Sequence, residues 1–206
     1  MSDSTAWNAR YAETPGMFGE APNEFLLEQA HRLRPGMAAL ALGDGEGRNG
    51  IWLAGQGLDV TALDWSATGM ARAADLAAAR GVALRRVVAD ATVWEWPLAQ
   101  FDLVAWIFVH LPPADRAAVS AGLRRALKPG GLLVLECFSP AQEGRRSGGP
   151  RMAELLFTRA IVEQEFAGLE VLVLLEGAVR LDEGPKHQGL AEVVRAVLRK
   201  PVSCGR

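Results

Sequence analysis

The chain has 206 residues, half of them hydrophobic and 22% charged, with a formal net charge of −2. That length and balance suit one globular domain with a single well-buried core and exclude a disordered or fibrous chain. The small net charge leaves no basic footprint for wrapping a nucleic acid or coating an anionic membrane, so neither partner is expected.

The opening MSDSTAWNAR has no basic n-region and no apolar run, so no signal peptide is expected and the expected location is cytoplasmic. The first twenty residues read as irregular, with Trp7, Tyr11 and Phe18 spaced among Gly and Pro. Asn23 then caps an amphipathic helix bearing Phe25, Leu26, Ala30 and Leu33, which Pro35-Gly36 ends. From there strand and helix alternate. Met37 to Leu42 is apolar and leads through GDGEG into a helix over Asn49 to Gln56. Leu58 to Leu63 leads into an Ala-rich helix ending near Arg80-Gly81, and Val82 to Ala89 is a third strand before the aromatic loop VWEWP. Phe101 to Val109 reads as a strand covered on both faces, followed by a helix from Pro112 to Leu127 and, after Lys128-Pro129-Gly130-Gly131, a fifth strand over Leu132 to Phe138. No stretch reaches the roughly 20 apolar residues of a spanning helix. The loop Ser139 to Pro150 is followed by a helical pattern over Glu154 to Ala167 and a long strand over Leu169 to Leu181. AEVVRAVLRK fits either a helix or a strand by periodicity. The alternation predicts an α/β fold, a doubly wound, mostly parallel sheet with right-handed crossovers. Cys137 and Cys204 are too few and too far apart for a disulfide framework or a metal site, and no metal is expected.

In such sheets ligands sit at the carboxyl ends of the strands, beside the first strand. That place holds Gly43, Asp44, Gly45, Glu46 and Gly47, followed by a helix whose amino end favours an anion. Asp64 ends the second strand roughly 20 positions on, where an acid can take both ribose hydroxyls. A dinucleotide fingerprint would carry a third glycine where Arg48 stands. Asp90 and Ala91 follow the third strand, placed for an adenine edge.

ALGDGEGRN, VTALDWS, VVADA, FDLVAWIFVHL and LKPGGLLVLE occur in the order and spacing of class I S-adenosylmethionine-dependent methyltransferases. The chain resembles that family, and FGEAPNEFL and HQGLAEVVRAVLRKP resemble its bacterial branch related to tellurite-resistance and thiopurine methyltransferases. The resemblance implies one methyltransferase domain over 1–206, with a lid segment at 1–22, a substrate loop at 139–150 and a seven-stranded sheet whose last strand, AEVVRAVLRK, is antiparallel. It implies S-adenosylmethionine as cofactor: Gly43, Gly45 and Gly47 under the methionine part, Arg48 and Asn49 opening the helix, Asp64 on the ribose, with Trp65 on the adenine and Ser66 beside it. Asp90 and Ala91 would meet the adenine edge, and Ile107 and Phe108 would lie beside the sulfonium. Many members carry an acid where Ala41 stands, and Asp44 or Glu46 would have to replace it.

His187 and His110 follow strands whose ends face the site and are the candidate catalytic residues. Leu111-Pro112-Pro113-Ala114 lacks the polar and aromatic groups of a nucleobase amino-methyltransferase loop, so a small-molecule acceptor is expected, by best guess a thiol or a chalcogen oxyanion. The chain is expected to be a monomer or homodimer. A nicotinamide oxidoreductase and a non-catalytic S-adenosylmethionine-binding module are the competing readings.

Overall fold

The computed structural model describes residues 3–202, so Cys204 and the first two residues of the expected lid lie outside it. The apolar runs form β1 (Ala38–Leu42), β2 (Asp59–Asp64), β3 (Arg85–Val88), β4 (Phe101–Ile107) and β5 (Leu127–Phe138), all parallel. The last two strands are β6 (Glu170–Asp182) and β7 (Gln188–Arg199), and β7 runs antiparallel to both β5 and β6. The order is β3-β2-β1-β4-β5-β7-β6, the seven-stranded doubly wound sheet that the alternation and the resemblance led us to expect. AEVVRAVLRK is therefore strand: its alternate residues Val194, Ala196 and Leu198 enter one core, and Val197 enters the other.

Helices α1 (Ser4–Glu13), α2 (Glu24–Glu28), α3 (Arg48–Gly55), α4 (Ala67–Ala79), α5 (Pro113–Ala126) and α6 (Arg159–Glu165) flank the sheet. Along β4, Val104 and Trp106 pack with Val119 and Leu123 of α5 and Val162 of α6, while Leu103, Ala105 and Ile107 pack with Phe25, Leu26 and Leu53 on the other face. Burial on both faces is why this strand is a continuous apolar run rather than an alternating one.

Four local expectations change. Residues 4–13 are helical rather than irregular: Asp3 caps the Ala6 amide (2.9 Å), and Asn8 Oδ1 accepts from Ser66 Oγ (2.8 Å) and the Thr68 amide (3.0 Å), so tertiary bonds to α4 supply what the weak apolar pattern did not. The helix after Asn23 ends early, passing into a 3-10 turn at Gln29–Arg32. The helix expected over 154–167 shrinks to α6, because buried Leu155, Leu156 and Phe157 run into an extended segment in which the Phe157 amide bonds the Phe138 carbonyl (2.9 Å). Finally, Lys128 to Gly131 lies inside β5 as an irregularity, the register jumping from Phe101↔Leu127 to Leu103↔Leu132. Lys200 Nζ closes that corner on the carbonyls of Arg124 and Leu127 (2.7 Å each), satisfying the carboxyl end of α5.

Candidate functional site

The chain leaves β1 and β4 on opposite sides of the sheet, and the crevice between them holds the glycine loop. Gly45 has φ +55°, and any side chain there would collide with the Tyr11 hydroxyl, so only glycine fits both the backbone and the space. Gly47, at φ +91°, is the N-cap of α3, and a Cβ there would stand 2.8 Å from Ala73. Asp64 organises the loop from β2: its Oδ2 accepts from the Gly45 amide (2.9 Å) and its Oδ1 from the Ser66 amide (2.7 Å). Burial raises the Asp64 carboxyl above the usual range, against the lowering effect of those two amides. Ser66 in turn caps α4 through its hydroxyl on the Gly69 amide (3.0 Å).

The acids in the loop have defined tasks. Asp44 reaches over Gly50, where a Cβ would meet its carboxylate, and accepts from the Gly50 amide (3.0 Å) in the first turn of α3. Burial pushes its pKa up to about 7. Glu46 accepts twice from the Gly16 amide (3.0 and 2.9 Å) and pairs with Arg72. Arg48 is buried in an ion pair with Glu183 (2.7 Å), and Asn49 Oδ1 accepts from the Asn23 amide (3.0 Å).

The β2 and β3 ends meet in a cleft of about 270 Å³ lined by Asp3, Ser4, Trp65, Val88, Ala89 and Asp90. Trp65 and Asp90 are thus brought together. Asp90 Oδ1 accepts from the Thr92 amide and hydroxyl (2.8 Å each). Ala91 instead faces the packing, its carbonyl taking the Trp96 indole N–H (3.0 Å). At the end of β4, Ile107 is buried, while Phe108 carries the strained φ of +53° and stacks on Phe138 at 4.6 Å.

The two candidate histidines flank the Phe138 ring, with centroids at 5.7 Å for His110 and 5.5 Å for His187. His110 has both nitrogens engaged: Nδ1 donates to the Leu155 carbonyl (3.0 Å) and Nε2 accepts from the Phe138 amide (3.4 Å). Burial lowers its pKa to about 4, so it stands neutral. His187 is 6% exposed, and burial together with the nearby Arg48 charge lowers its pKa to about 3, well away from the unperturbed value that a solvent-facing histidine would keep. Its neighbour Lys186 is exposed.

Sequence reasoning missed the polar hub behind the loop. Fully buried Asn23 donates from Nδ2 to both Glu136 (2.6 Å) and Glu183 (2.9 Å), and Arg195 closes on Glu136 (2.9 Å). The available signal was Glu136 itself, a lone acid inside the apolar run LLVLECF. Cys137 beside it is fully buried, and burial pushes its thiol up, out of reach of nucleophilic work.

Residues 39–131 match the family model of a methyltransferase domain. This segment, a little under half of the chain, is similar to a methyltransferase domain. It spans the glycine loop, Asp64 and the cleft at Asp90. No curated protein matches the chain by sequence. Among solved structures, the chain resembles the protein from the study of conversion of a disulfide bond into a thioacetal group during echinomycin biosynthesis (24% identity, 98% of this chain and 93% of that one, TM-score 0.76). The N-methyltransferase NodS of Bradyrhizobium japonicum WM9, solved with S-adenosyl-L-homocysteine, is 16% identical over 97% of this chain and all of that one (100%; TM-score 0.75). TehB of Haemophilus influenzae is 17% identical over 96% of this chain and 66% of that one, with a TM-score of 0.71. At these identities the likeness is one of fold.

Proposed function

We propose that the chain transfers the methyl group of S-adenosylmethionine to a small-molecule acceptor that is a soft or anionic nucleophile, a thiol or a chalcogen oxyanion. The observation that carries the cofactor reading is the Asp64 carboxylate, which binds the glycine loop and the β2 exit at once and is followed directly by Trp65, which lines a cleft with Asp90. Each Asp64 oxygen spends one acceptor site on an amide, and a carboxylate offers about four, so capacity remains for two ribose hydroxyls. Trp65 supplies an aromatic face and Asp90 an acceptor for an adenine amino group.

When bound, the cofactor supplies an electrophilic methyl on a sulfonium; the protein supplies proximity and alignment. Ala41 leaves the ammonium of the methionine part without the acid that many resembled proteins carry there. Asp44 answers that need: its carboxylate lies beside the Ala41 methyl over Gly50, whereas Glu46 is committed to Gly16 and Arg72. An ammonium there would favour the charged form of a carboxyl whose pKa now stands near 7. Residues 3–22 serve as the lid, since Glu46 holds Gly16 and the Tyr11 hydroxyl stands over Gly45, on the ligand's approach. Arg48, locked to Glu183 where a dinucleotide site needs glycine, weighs against a nicotinamide cofactor.

Calorimetry tests this reading. S-adenosylhomocysteine should bind and NAD(H) should not, and Gly45→Leu should abolish binding. Equal or tighter NAD(H) binding would sink the proposal. Tight S-adenosylhomocysteine binding with no transfer to any acceptor would favour a binding module instead.

A further inference from the structure

The sheet ends on two unlike edges. At one end β3 is only four residues long and opens on the exposed pair Arg85-Arg86, a short edge of one charge sign that resists further pairing. At the other end β6 runs for 13 residues and pairs only with β7. The hairpin fixes which of its backbone groups are used. The Glu183 amide bonds the His187 carbonyl (2.9 Å), and the ladder continues from Asp182↔Gln188. Bonded and non-bonded pairs alternate in an antiparallel ladder, so the odd-numbered residues from Val173 to Leu181 turn their N–H and C=O toward β7. The even-numbered residues from Leu174 to Asp182 turn theirs outward, where no backbone partner meets them among the described residues. The bulge between Val171 and Val173 lies before this stretch, which leaves a regular free edge.

The side chains say what fits that edge. Leu174 enters the core beside α5 and α6, and Glu176 on the same face accepts from the Arg159 amide at the start of α6 (2.9 Å). Ala178 and Arg180 follow on that face, both exposed. Arg180 makes no ion pair among the described residues. On the other face Leu175 is 59% exposed, a large apolar side chain left in water beside the open edge. Charges of one sign along an edge block self-pairing. Here an acid and a base alternate with Ala178 between them, and an antiparallel strand of the same sequence sets each opposite the other.

We propose that β6 is a dimer interface: two copies of the chain join edge to edge, antiparallel about a two-fold axis through Ala178, and continue the sheet from one molecule into the next. The symmetry then fixes every pair. Glu176 faces Arg180 of the partner subunit, and Arg180 faces Glu176 of the partner subunit. Leu175, on the other face, comes to lie opposite Leu181 of the partner subunit. The outward groups of the two strands form roughly ten new backbone hydrogen bonds. Moving the axis by one or two residues loses the charge match. Centred on Glu176 the pairing opposes acid to acid, on Arg180 base to base, and on Val179 it sets Glu176 against Asp182. Centred on Gly177 it leaves each charge facing an apolar residue. The interface stands at the far end of the sheet from β1, β2 and β3, so it is independent of what the cleft binds.

Sedimentation equilibrium on the full chain tests the pairing. The wild-type protein should be dimeric at about 100 µM, as suits a small interface. Glu176→Arg and Arg180→Glu should each weaken the dimer roughly tenfold or more, because each charge pair occurs twice. An equimolar mixture of the two variants should dimerise like wild type, since every opposed pair is again acid on base. Hydrogen exchange on the wild-type protein gives a readout free of any variant. The amides of Leu174, Glu176, Ala178, Arg180 and Asp182 should slow as concentration rises from about 1 to 100 µM, while those of β3 stay unchanged. A wild-type monomer at the higher concentration, variants that dimerise as tightly as wild type, a mixture no tighter than either variant alone, or β6 amides indifferent to concentration would overturn the proposal. If either variant fails to fold, the exchange experiment decides alone.

Discussion

Two buried residues near the glycine loop should titrate in opposite directions. Asp44 has its folded pKa raised to about 7, so its contribution to stability is present below the unfolded value of 3.8 and is lost as pH rises through 7. Asp44→Asn keeps an acceptor for the Gly50 amide but cannot ionise. Between pH 6 and pH 8 the variant should gain about 1 kcal/mol relative to wild type, by denaturant midpoints at both values. His110 behaves the other way, with its folded pKa lowered from 6.5 to about 4. Its contribution is present above pH 6.5 and is lost as pH falls toward 4. His110→Phe should cost about 1–3 kcal/mol at pH 7 by leaving the Leu155 carbonyl and Phe138 amide unpaired. The variant should also lose less stability than wild type on going from pH 6.5 to 4.5; thermal melts across that range would reveal a parallel decline if His110 were protonated in the fold.

At the level of elements, the segment before α2 is held by specific bonds rather than by an apolar face. Asn23 caps α2 through the Leu26 amide (2.9 Å) while bridging Glu136 of β5 and Glu183 after β6. Asn23→Ala should remove the cap and leave two buried carboxylates without their shared donor. A loss of about 3 kcal/mol is expected in urea unfolding, summing roughly 1 for the cap and 2 for a charge-assisted bond. A loss below half of that would mean Arg48 and Arg195 satisfy the acids unaided. For α1, hydrogen exchange over residues 4–18 should change when S-adenosylhomocysteine is added, because the Tyr11 hydroxyl over Gly45 must yield or turn toward the ligand. Unchanged protection would leave α1 a fixed part of the wall.

For the whole molecule, the proposed site joins β1, β2, β3 and β4, and a ligand there should stabilise the fold as a unit. At 100 times its dissociation constant, S-adenosylhomocysteine adds about 2.7 kcal/mol. For a domain of this size that corresponds to a rise in Tm of roughly 5–10 °C. NAD(H) at the same concentration should leave Tm unmoved, and a shift by NAD(H) alone would count against the cofactor proposal.

Sequence periodicity determined the alternation of strands and helices, and hence a parallel sheet, because residues buried on two faces must be apolar throughout and those on one helical stripe must recur at its period. It also located the glycine loop and Asp64, since a tight turn and a strand end each demand particular residue types close together in the chain. AEVVRAVLRK was ambiguous by period; pairing with β5 and β6 made it a strand, and that information lies in distant residues. The same is true of α1, whose helix depends on Ser66 and Thr68, and of the buried acids Glu136 and Glu183, whose partners stand on other elements. The two histidines looked alike in sequence, each following a strand. Tertiary structure separated them: Leu155 and Phe138 claim both nitrogens of His110, while three aromatic rings close around His187 and its Nδ1 has no hydrogen-bonding partner among the described residues. A side chain's available lone pair is set by what folds against it, and no local pattern encodes that.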